Sequence, residues 1–152
     1  MPKIIDSFSG KYECFSNFSA HPVGQYATSE HRFQAKKATN ERDHDYVIEA
    51  NSPRSAKWRG RQIKLRADWP EAKDPEMLQA VLDKFIEHRD IGNILISTED
   101  ALLIEGNYHG DDYWGMIKDE NGKWVGQNKL GETLMLVREI LITRRLKEGE
   151  GS

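Results

Sequence analysis

The chain of 152 residues carries 22 basic and 25 acidic side chains, a net charge of -3, and is long enough to bury one hydrophobic core. Its net acidity argues against a protein that coats nucleic acid by bulk attraction, although it is compatible with a local basic pocket. No apolar run approaches the ~18 residues of a membrane span, and we expect neither a signal peptide nor membrane contact. The single cysteine, Cys14, suits a reducing compartment, so we expect a cytoplasmic protein.

The N-terminal third predicts two short strands followed by two helices. The strands are expected at Ile4–Phe8 and Tyr12–Phe18, where aromatic and apolar residues are separated by Gly and Ser. Helices are expected over Ser29–Ala38 and Asn40–Glu49. Each begins at residues whose side chains can accept hydrogen bonds from the free amides of a first turn.

The middle of the chain predicts three further helices. Ser52-Pro53 combines a capping side chain with proline at the first helical position, and Gly60 is expected to end that helix. Asp74-Pro75 repeats the start signal before a good apolar stripe. A short helix, capped by Asp90, is expected to end near Ile96.

The C-terminal part predicts a strand, a hairpin and a long helix. Leu102–Glu105 reads as the strand, and the turn at 119–122 lies between apolar residues that form the hairpin. Asn128 is expected to cap the last helix. The expected fold is α+β, mostly helical, with a single domain over residues 1–147 and a flexible tail at 148–152.

Glu30 is the first candidate for catalysis. It lies in the first turn of the helix that begins near Ser29, and Phe33 and Lys37 follow on or near its face. The helix dipole lowers the pKa of a carboxylate at this position, whereas desolvation in a cleft would raise it toward neutrality. The alternative is an ordinary first-turn Glu with no catalytic role.

Residues 50–67 form a local basic segment without any acidic residue. Guanidinium groups bind phosphate bidentately, so this segment is a candidate phosphate site. The alternative is a helix face whose charges meet only water. Its six cations are Arg54, Lys57, Arg59, Arg61, Lys64 and Arg66.

Two tryptophans in predicted loops, Trp69 and Trp114, are candidates for stacking on a flat heterocycle. Trp69 follows Asp68, and Trp114 comes shortly after Asp111 and Asp112, so both have charges nearby, which is typical of a polar site. The alternative is that each ring belongs to the core.

Carboxylates and lysines offer two routes to cleavage of a glycosidic bond. Asp111 or Asp112 could pair with Glu30, one group transferring protons and the other stabilising positive charge on the sugar. A lysine could instead attack the sugar and form a Schiff base, and Lys57 and Lys36 are the candidates. For both lysines, an ordinary surface position is the alternative.

We predict neither a metal site nor a cofactor. The five histidines form no HExxH motif and do not accompany a Cys-x-x-Cys pair. The sequence also lacks the GxSxG and GxGxxG motifs of nucleophile elbows and dinucleotide sites.

Several motifs stand in an order that strongly resembles the NADAR family, also called YbiA-like, from about residue 8 to residue 142. Single motifs are weak, but the ordered set is specific. The motifs are Phe15-Ser16-Asn17-Phe18, Tyr26-x-Thr28-x-Glu30-His31-x-Phe33-Gln34-x-x-Lys37, Ala50-x-x-Pro53-x-x-Ala56-Lys57-x-x-Gly60-Arg61, Arg66-x-Asp68-Trp69, Asp111-x-x-Trp114-Gly115 and Gly126-x-Asn128-x-Leu130-Gly131-x-x-Leu134-Met135-x-x-Arg138.

The resemblance implies an N-glycosidase of largely helical α+β fold. By matching positions, Glu30 and Asp111 become the acid/base pair, Trp69 and Trp114 line the site, and a lysine–sugar adduct is part of the expected mechanism. Expected contacts to ribose, phosphate or base come from Phe15, Asn17, Lys57, Arg61 and Asn128. A hairpin at 118–124 departs from the family pattern and makes substrate choice less certain than the chemistry.

The resemblance leaves three functions open. The first is removal of ADP-ribose from guanine, in a nucleotide, DNA or RNA, which would oppose an ADP-ribosyltransferase toxin. The second is cleavage of phosphoribosylated intermediates of riboflavin synthesis. The third is a non-catalytic module that binds ADP-ribose or a nucleotide. The six cations of residues 54–66 favour a substrate with two phosphates over one with a single phosphate.

Overall fold

In a computed structural model that describes residues 3–150, the chain is mostly helical with a few short strands, which confirms the predicted α+β class. The elements in chain order are β1 (Ile4–Ile5), a 3-10 helix (Gly10–Phe15), α1 (Ser29–Ala35), α2 (Glu41–Ile48), α3 (Pro53–Gly60), α4 (Trp69–Glu87), α5 (Arg89–Ser97), β2 (Leu102–Leu103), β3 (Ile117–Lys118), β4 (Trp124–Val125) and α6 (Lys129–Glu150).

The chain divides into two compact units. The central unit is Ser16–Glu87, and the terminal unit comprises the described parts of Met1–Phe15 and His88–Ser152. Within residues 3–150, no helix is both long and apolar enough to cross a membrane.

Side-chain caps begin three helices of the central unit. Thr28, Asn40 and Ser52 each accept a hydrogen bond from the backbone amide three residues later, at 3.1, 2.8 and 3.0 Å. A cap of this kind stabilises a helix by about 1 kcal/mol. These bonds confirm the predicted starts of α1, α2 and α3, and α3 ends at Gly60 as expected.

The helices α1, α2 and α3 pack around one apolar cluster in the central unit. All of its members are at most 7% exposed. Burial of such side chains is the main favourable contribution to folding. The cluster consists of Tyr26, Ala35, Val47, Ala50 and Ala56, with Ile48 and Ile63 packed against it.

The helix α4 begins at Trp69, so the predicted start at Asp74-Pro75 was wrong. The backbone amides of Glu71 and Ala72 in the first turn donate to the carbonyl of Asp68, at 3.1 and 2.9 Å. The helix is therefore already formed before Asp74. Pro70 occupies the second helical position, where its fixed φ is already helical. Pro75 therefore lies inside α4 and removes a single amide donor.

The predicted strand at Tyr12–Phe18 was also wrong, because the 3-10 helix Gly10–Phe15 occupies this segment. With three residues per turn, Tyr12 and Phe15 lie on the same side of that helix. Their rings stack with centroids 5.3 Å apart, and Phe8 meets Phe15 edge-on at 5.6 Å. The aromatic residues thus stabilise a helical turn rather than a strand.

Strand pairing in the terminal unit is short. β1 pairs in parallel with β2, with Ile4 opposite Leu102 and Ile5 opposite Leu103, so β2 is shorter than the predicted strand. The predicted hairpin is confirmed as the antiparallel pair β3–β4. Its turn is closed by Asp119, whose Oδ1 accepts two backbone amides at 2.8 and 2.9 Å.

Two helix boundaries of the terminal unit differ from expectation. His88 rather than Asp90 precedes α5 as its N-cap residue, and Asp90 lies in the first turn. α6 continues through Glu150, so the expected tail is helical at residues 148–150, where Arg89 and Glu148 form an exposed ion pair at 3.1 Å. Residues 151 and 152 lie outside the described part of the chain.

Arg138 connects α6 to the turn between α5 and β2. Arg138 is 5% exposed, and its Nη1 donates to Thr98 Oγ1 and to the Ala101 carbonyl, both at 2.9 Å. Burial lowers the pKa of Arg138, while Glu139 and Asp100 raise it. The last arginine of the family-like motifs therefore has a structural role.

We predict that Arg138→Ala lowers the free energy of unfolding by about 2–4 kcal/mol, because two buried acceptors lose their donor. Urea denaturation measures the change. Arg144→Ala, an exposed arginine on the same helix, is the control and should stay within about 0.5 kcal/mol of the wild type. Equal stability of the two variants would contradict the structural role.

Candidate functional site

Glu30 lies in the first turn of α1 and is 6% exposed. Its Oε1 accepts a hydrogen bond from Gln34 Nε2 at 2.8 Å, one helical turn later. Its backbone amide donates to the carbonyl of Asn17 at 3.2 Å. The carboxylate predicted to be catalytic is therefore buried and fixed in orientation, as a general acid or base requires.

Asn17 fixes the start of α1 from the preceding loop. Its side chain is buried, Oδ1 accepts from Ser29 Oγ at 2.8 Å, and Nδ2 lies 3.2 Å from Met77 Sδ. Both ends of the amide are thus used inside the central unit. This geometry gives Asn17 a positioning role beside Glu30, and its predicted contact with substrate stays a prediction.

Lys37 lies just after the C-cap of α1, four residues after Phe33 and seven after Glu30. Its Nζ is 5.9 Å from the ring centre of Phe33 and 6.0 Å from that of Trp69. Burial is the largest cause of a lowered pKa at Lys37; Glu30 opposes the shift, and two cations of the basic segment, Arg61 and Lys57, add to it. Two further cations and one carboxylate therefore lie within electrostatic range of Lys37.

We call these residues the α1 cluster: Glu30, Phe33, Lys37, Lys57, Arg61 and Trp69. Of the predicted site residues, the structure brings four together here, Glu30, Lys57, Arg61 and Trp69. Lys37 was not among the predicted site residues, although its position seven residues after Glu30 is the spacing that places both on one helix face.

Trp69 belongs to the packed wall of this cluster. It is 7% exposed, and its ring lies 5.2 Å from that of Phe33. A ring so covered offers at most an edge to a ligand, which favours the core alternative over base stacking. The two rings exclude water from one side of Lys37, which is a physical source of its lowered pKa.

Gly60 allows α3 to approach α1 closely. A Cβ atom at this position would overlap the side-chain amide of Gln34. Gln34 is 4% exposed and cannot move aside into solvent, and it holds the carboxylate of Glu30. The glycine that ends α3 therefore leaves Gln34 in place, and Gln34 keeps the carboxylate of Glu30 in its orientation.

Lys84 is a buried lysine that the sequence analysis did not place in the site. It is 1% exposed, lies on the buried stripe of α4, and its Nζ donates to the carbonyl of Ser16 at 2.8 Å. The next carbonyl, that of Asn17, holds the amide of Glu30. Lysine is rarely buried. The sequence signal for its burial was its position on the apolar stripe of the helix, four residues after Ala80.

Lys36, one of the two predicted lysine nucleophiles, is the C-cap residue of α1. It stands six positions after Glu30, a spacing that places it on a different side of the helix axis. It lines a separate cavity of about 490 Å³ together with Arg66 and His44. The structure therefore does not group Lys36 with the α1 cluster.

Asp111 closes a turn in the terminal unit. Its Oδ1 accepts the backbone amides of Tyr113 and Trp114 at 3.1 and 3.0 Å, and its carbonyl accepts from Asn107 Nδ2 at 2.8 Å. The Trp114 ring is partly buried and meets Tyr113 edge-on at 4.9 Å. The pairing of Asp111 with Glu30 as acid and base stays a prediction.

Asn128 and Phe15 also make structural contacts within the terminal unit. Asn128 has a left-handed φ of 53°, and its side chain bonds to the backbone of Leu103 and Glu105, at 2.9 and 3.0 Å, rather than capping α6. The expected side-chain cap was therefore wrong. Phe15 is 1% exposed and packs among aromatic rings. Their substrate contacts stay predictions.

Comparison with known proteins gives consistent results. The family model of the NADAR domain matches residues 6–142. The N-glycosidase Npun_R5314 of Nostoc punctiforme is 40% identical over 137 residues, which cover 84% of this chain and 85% of that protein. The N-glycosidase YbiA of Escherichia coli is 36% identical over 141 residues, covering 89% and 85%.

The solved NMR structure of Escherichia coli YbiA matches the fold with a TM-score of 0.82, covering 96% of this chain and 89% of that one. A protein of Vibrio vulnificus named riboflavin biosynthesis protein VVA0006 is 32% identical over 118 residues. That match covers 76% of this chain but 31% of the Vibrio protein.

We predict that Lys37→Met is at least as stable as the wild type at pH 7, because the variant no longer buries an ammonium group. A lysine with a lowered folded-state pKa takes up a proton on unfolding. The free energy of unfolding of the wild type should therefore rise with pH up to the ordinary lysine pKa of 10.5, and the variant should lack this rise.

Urea denaturation between pH 7 and pH 10 measures this difference. Lys64→Met, at an exposed position of the basic segment, is the control and should follow the wild type. A Lys37→Met variant that is less stable at pH 7 would show that the attraction to Glu30 outweighs the cost of burial.

Proposed function

The chain belongs to the NADAR family, and on that premise we propose that it is an N-glycosidase that removes ADP-ribose from guanine. The observation that supports this function best is the α1 cluster. It combines one buried carboxylate, Glu30, with the cations Lys37, Lys57 and Arg61. A carboxylate suits the bond to be broken, and several cations suit a diphosphate.

Glu30 transfers protons in this reaction. Cleavage of the bond between the sugar and the guanine nitrogen leaves positive charge on the sugar and negative charge on the departing base. A protonated Glu30 neutralises the departing nitrogen, and the resulting carboxylate then takes a proton from the nucleophile that has attacked the sugar carbon. Its fixed contact with Gln34 keeps the carboxyl group oriented through both steps.

The cations of the α1 cluster bind the diphosphate. Arg61 can contact phosphate oxygens with two parallel hydrogen bonds, while Lys57 and Lys37 act as point charges. A doubly charged diphosphate also offsets the mutual repulsion among these cations, which contributes to the lowered pKa of Lys37. This balance favours ADP-ribose over a substrate with one phosphate.

Lys84 is our candidate for a covalent step. Its neutral amine attacks the sugar carbon, the bond to guanine breaks, and guanine leaves with the proton that Glu30 supplies. The Glu30 carboxylate then takes a proton from the attacking nitrogen and passes it to the ring oxygen as the ring C–O bond breaks and the nitrogen forms a protonated imine with the sugar carbon. Water hydrolyses this imine, which releases ADP-ribose and restores the amine. Lys84 is favoured over Lys57 and Lys36 because the adjacent carbonyls of Ser16 and Asn17 hold its Nζ and the Glu30 amide.

A second candidate function is cleavage of a phosphoribosylated riboflavin intermediate. The name of the Vibrio vulnificus relative supports it, although the match spans 31% of that protein. The chemistry at Glu30 would be the same, and the difference lies in the number of phosphates to be bound.

Mass spectrometry of reaction products distinguishes these functions. The purified protein is incubated with ADP-ribosylated guanosine, and separately with riboflavin-pathway N-glycosides. Release of free ADP-ribose and intact guanosine would support the proposal. Cleavage of the riboflavin intermediates alone would overturn the substrate assignment, and binding of ADP-ribose without turnover would indicate a non-catalytic module.

We predict that Glu30→Gln lowers the turnover rate on the order of 100-fold or more while leaving the protein folded, because Gln keeps the acceptor for Gln34 but cannot transfer protons. The rate and the urea midpoint are measured together. Glu49→Gln, an exposed carboxylate at the end of α2, is the control. An unchanged rate would remove Glu30 from the mechanism.

Asp111→Asn tests the proposed partner in the same assay. Asn keeps an oxygen that can accept the amides of Tyr113 and Trp114, so the turn should survive. A large loss of rate at full stability would support a catalytic role. A wild-type rate would leave Asp111 with its structural role alone.

Reductive trapping tests the covalent step. We predict that sodium cyanoborohydride and substrate produce an adduct on Lys84, located by peptide mass spectrometry, and that Lys84→Met abolishes it. Lys36→Met and Lys57→Met should still be trapped. An adduct on another lysine would transfer the role to that residue, and an absence of any adduct during active turnover would favour direct attack by water.

A further inference from the structure

We propose that the exposed side of α3, formed by Arg54 and Trp58, binds a nucleotide next to the modified guanine in a single-stranded nucleic acid. This inference rests on the proposed function and extends it, because it adds a binding surface for the strand outside the α1 cluster.

Trp58 is unusually exposed for its size. More than half of its surface, 57%, is open to solvent, although it lies within α3, two residues before the helix ends. Residues three and four apart are neighbours on a helix, so Arg54 and Arg61 lie on either side of this ring. An aromatic face between two cations is the arrangement that stacks a base while holding the adjoining phosphates.

The segment that carries this surface is basic, whereas the chain as a whole is acidic. Residues 50–67 contain six of the 22 basic residues and none of the 25 acidic ones. Such a surface attracts a polyanion locally although the protein as a whole is acidic.

The contacts of the basic segment show which of its cations are held by other groups of the protein and which are available to bind a ligand. Arg66 binds Asp68 with two hydrogen bonds, at 2.6 and 2.8 Å, and Arg59 donates to the Tyr46 carbonyl at 2.7 Å with its guanidinium 4.7 Å from the Tyr46 ring. Arg54, in contrast, is exposed and makes no ion pair with any described side chain of residues 3–149. The cation that flanks Trp58 is therefore available for phosphate.

The surface is continuous with the α1 cluster. Lys57 precedes Trp58 in α3, and Lys57 and Arg61 both lie close enough to Lys37 to lower its pKa. A strand whose modified guanine is held at Glu30 would thus have its neighbouring nucleotide within reach of Trp58. Base stacking on Trp58 requires a base that is not already stacked in a duplex, which points to a single strand.

The test compares two substrates that carry the same modified guanine, free ADP-ribosylated guanosine and a single-stranded oligonucleotide. Trp58→Ala should lower kcat/KM for the oligonucleotide about 10-fold, the typical worth of one stacked base, and leave the rate on the free nucleoside unchanged. Trp58→Phe retains an aromatic face and should recover most of the loss. Arg54→Ala should weaken oligonucleotide cleavage, and Arg144→Ala on α6 is the charge-matched control.

A binding measurement keeps this inference separate from the proposed function. Titration with an unmodified single-stranded oligonucleotide should quench the fluorescence of Trp58, and the response should be absent in Trp58→Ala and reduced by salt. Binding without any turnover would contradict the proposed activity alone. Equal loss of rate on both substrates, or no response to the oligonucleotide, would overturn the surface assignment.

Discussion

The segment Ser16–Asn17 is the connection on which the central unit depends. Its two carbonyls accept hydrogen bonds from Nζ of Lys84 and from the backbone amide of Glu30, and the Asn17 side chain joins Ser29 to Met77. Two consecutive residues therefore connect the start of α1 to Met77 and Lys84 of α4. The Ser16 carbonyl accepts from the side chain of Lys84, and the Asn17 carbonyl accepts from the backbone of Glu30, so one short segment contacts both residues.

The α1 cluster illustrates the cost of building such a site. Lys37 is held near two other cations and against two aromatic rings, so its charged form is disfavoured and its pKa is lowered. Burial of a charge costs free energy that the apolar core of α1, α2 and α3 must offset. A site of this kind is compatible with a fold only when the surrounding helices are well packed, and Gly60 permits that packing at the point of closest approach.

Sequence patterns predicted local structure well where the stabilising bonds are themselves local. The caps at Thr28, Asn40 and Ser52 join residues three apart, so the residue types alone indicated them. The predictions failed where a contact between distant residues, or an unusual local contact, determines the structure. The aromatic residues near Tyr12 form a helical turn by stacking on one another, and Asn128 bonds to a strand about 25 residues away instead of capping its own helix.

By itself the sequence determined the helical α+β class, the family, the candidate carboxylate Glu30 and the basic segment, since these follow from neighbouring residues and ordered motifs. Only the tertiary structure decided which charges are available. Lys84 is buried, and Arg59 and Arg66 contact nearby groups. Lys36 lies on a different side of the helix axis from Glu30, and Trp58 is exposed. The physical reason is that burial and pairing of a charged side chain depend on groups that the fold brings near, as Ser16 and Lys84 are across 68 positions of sequence.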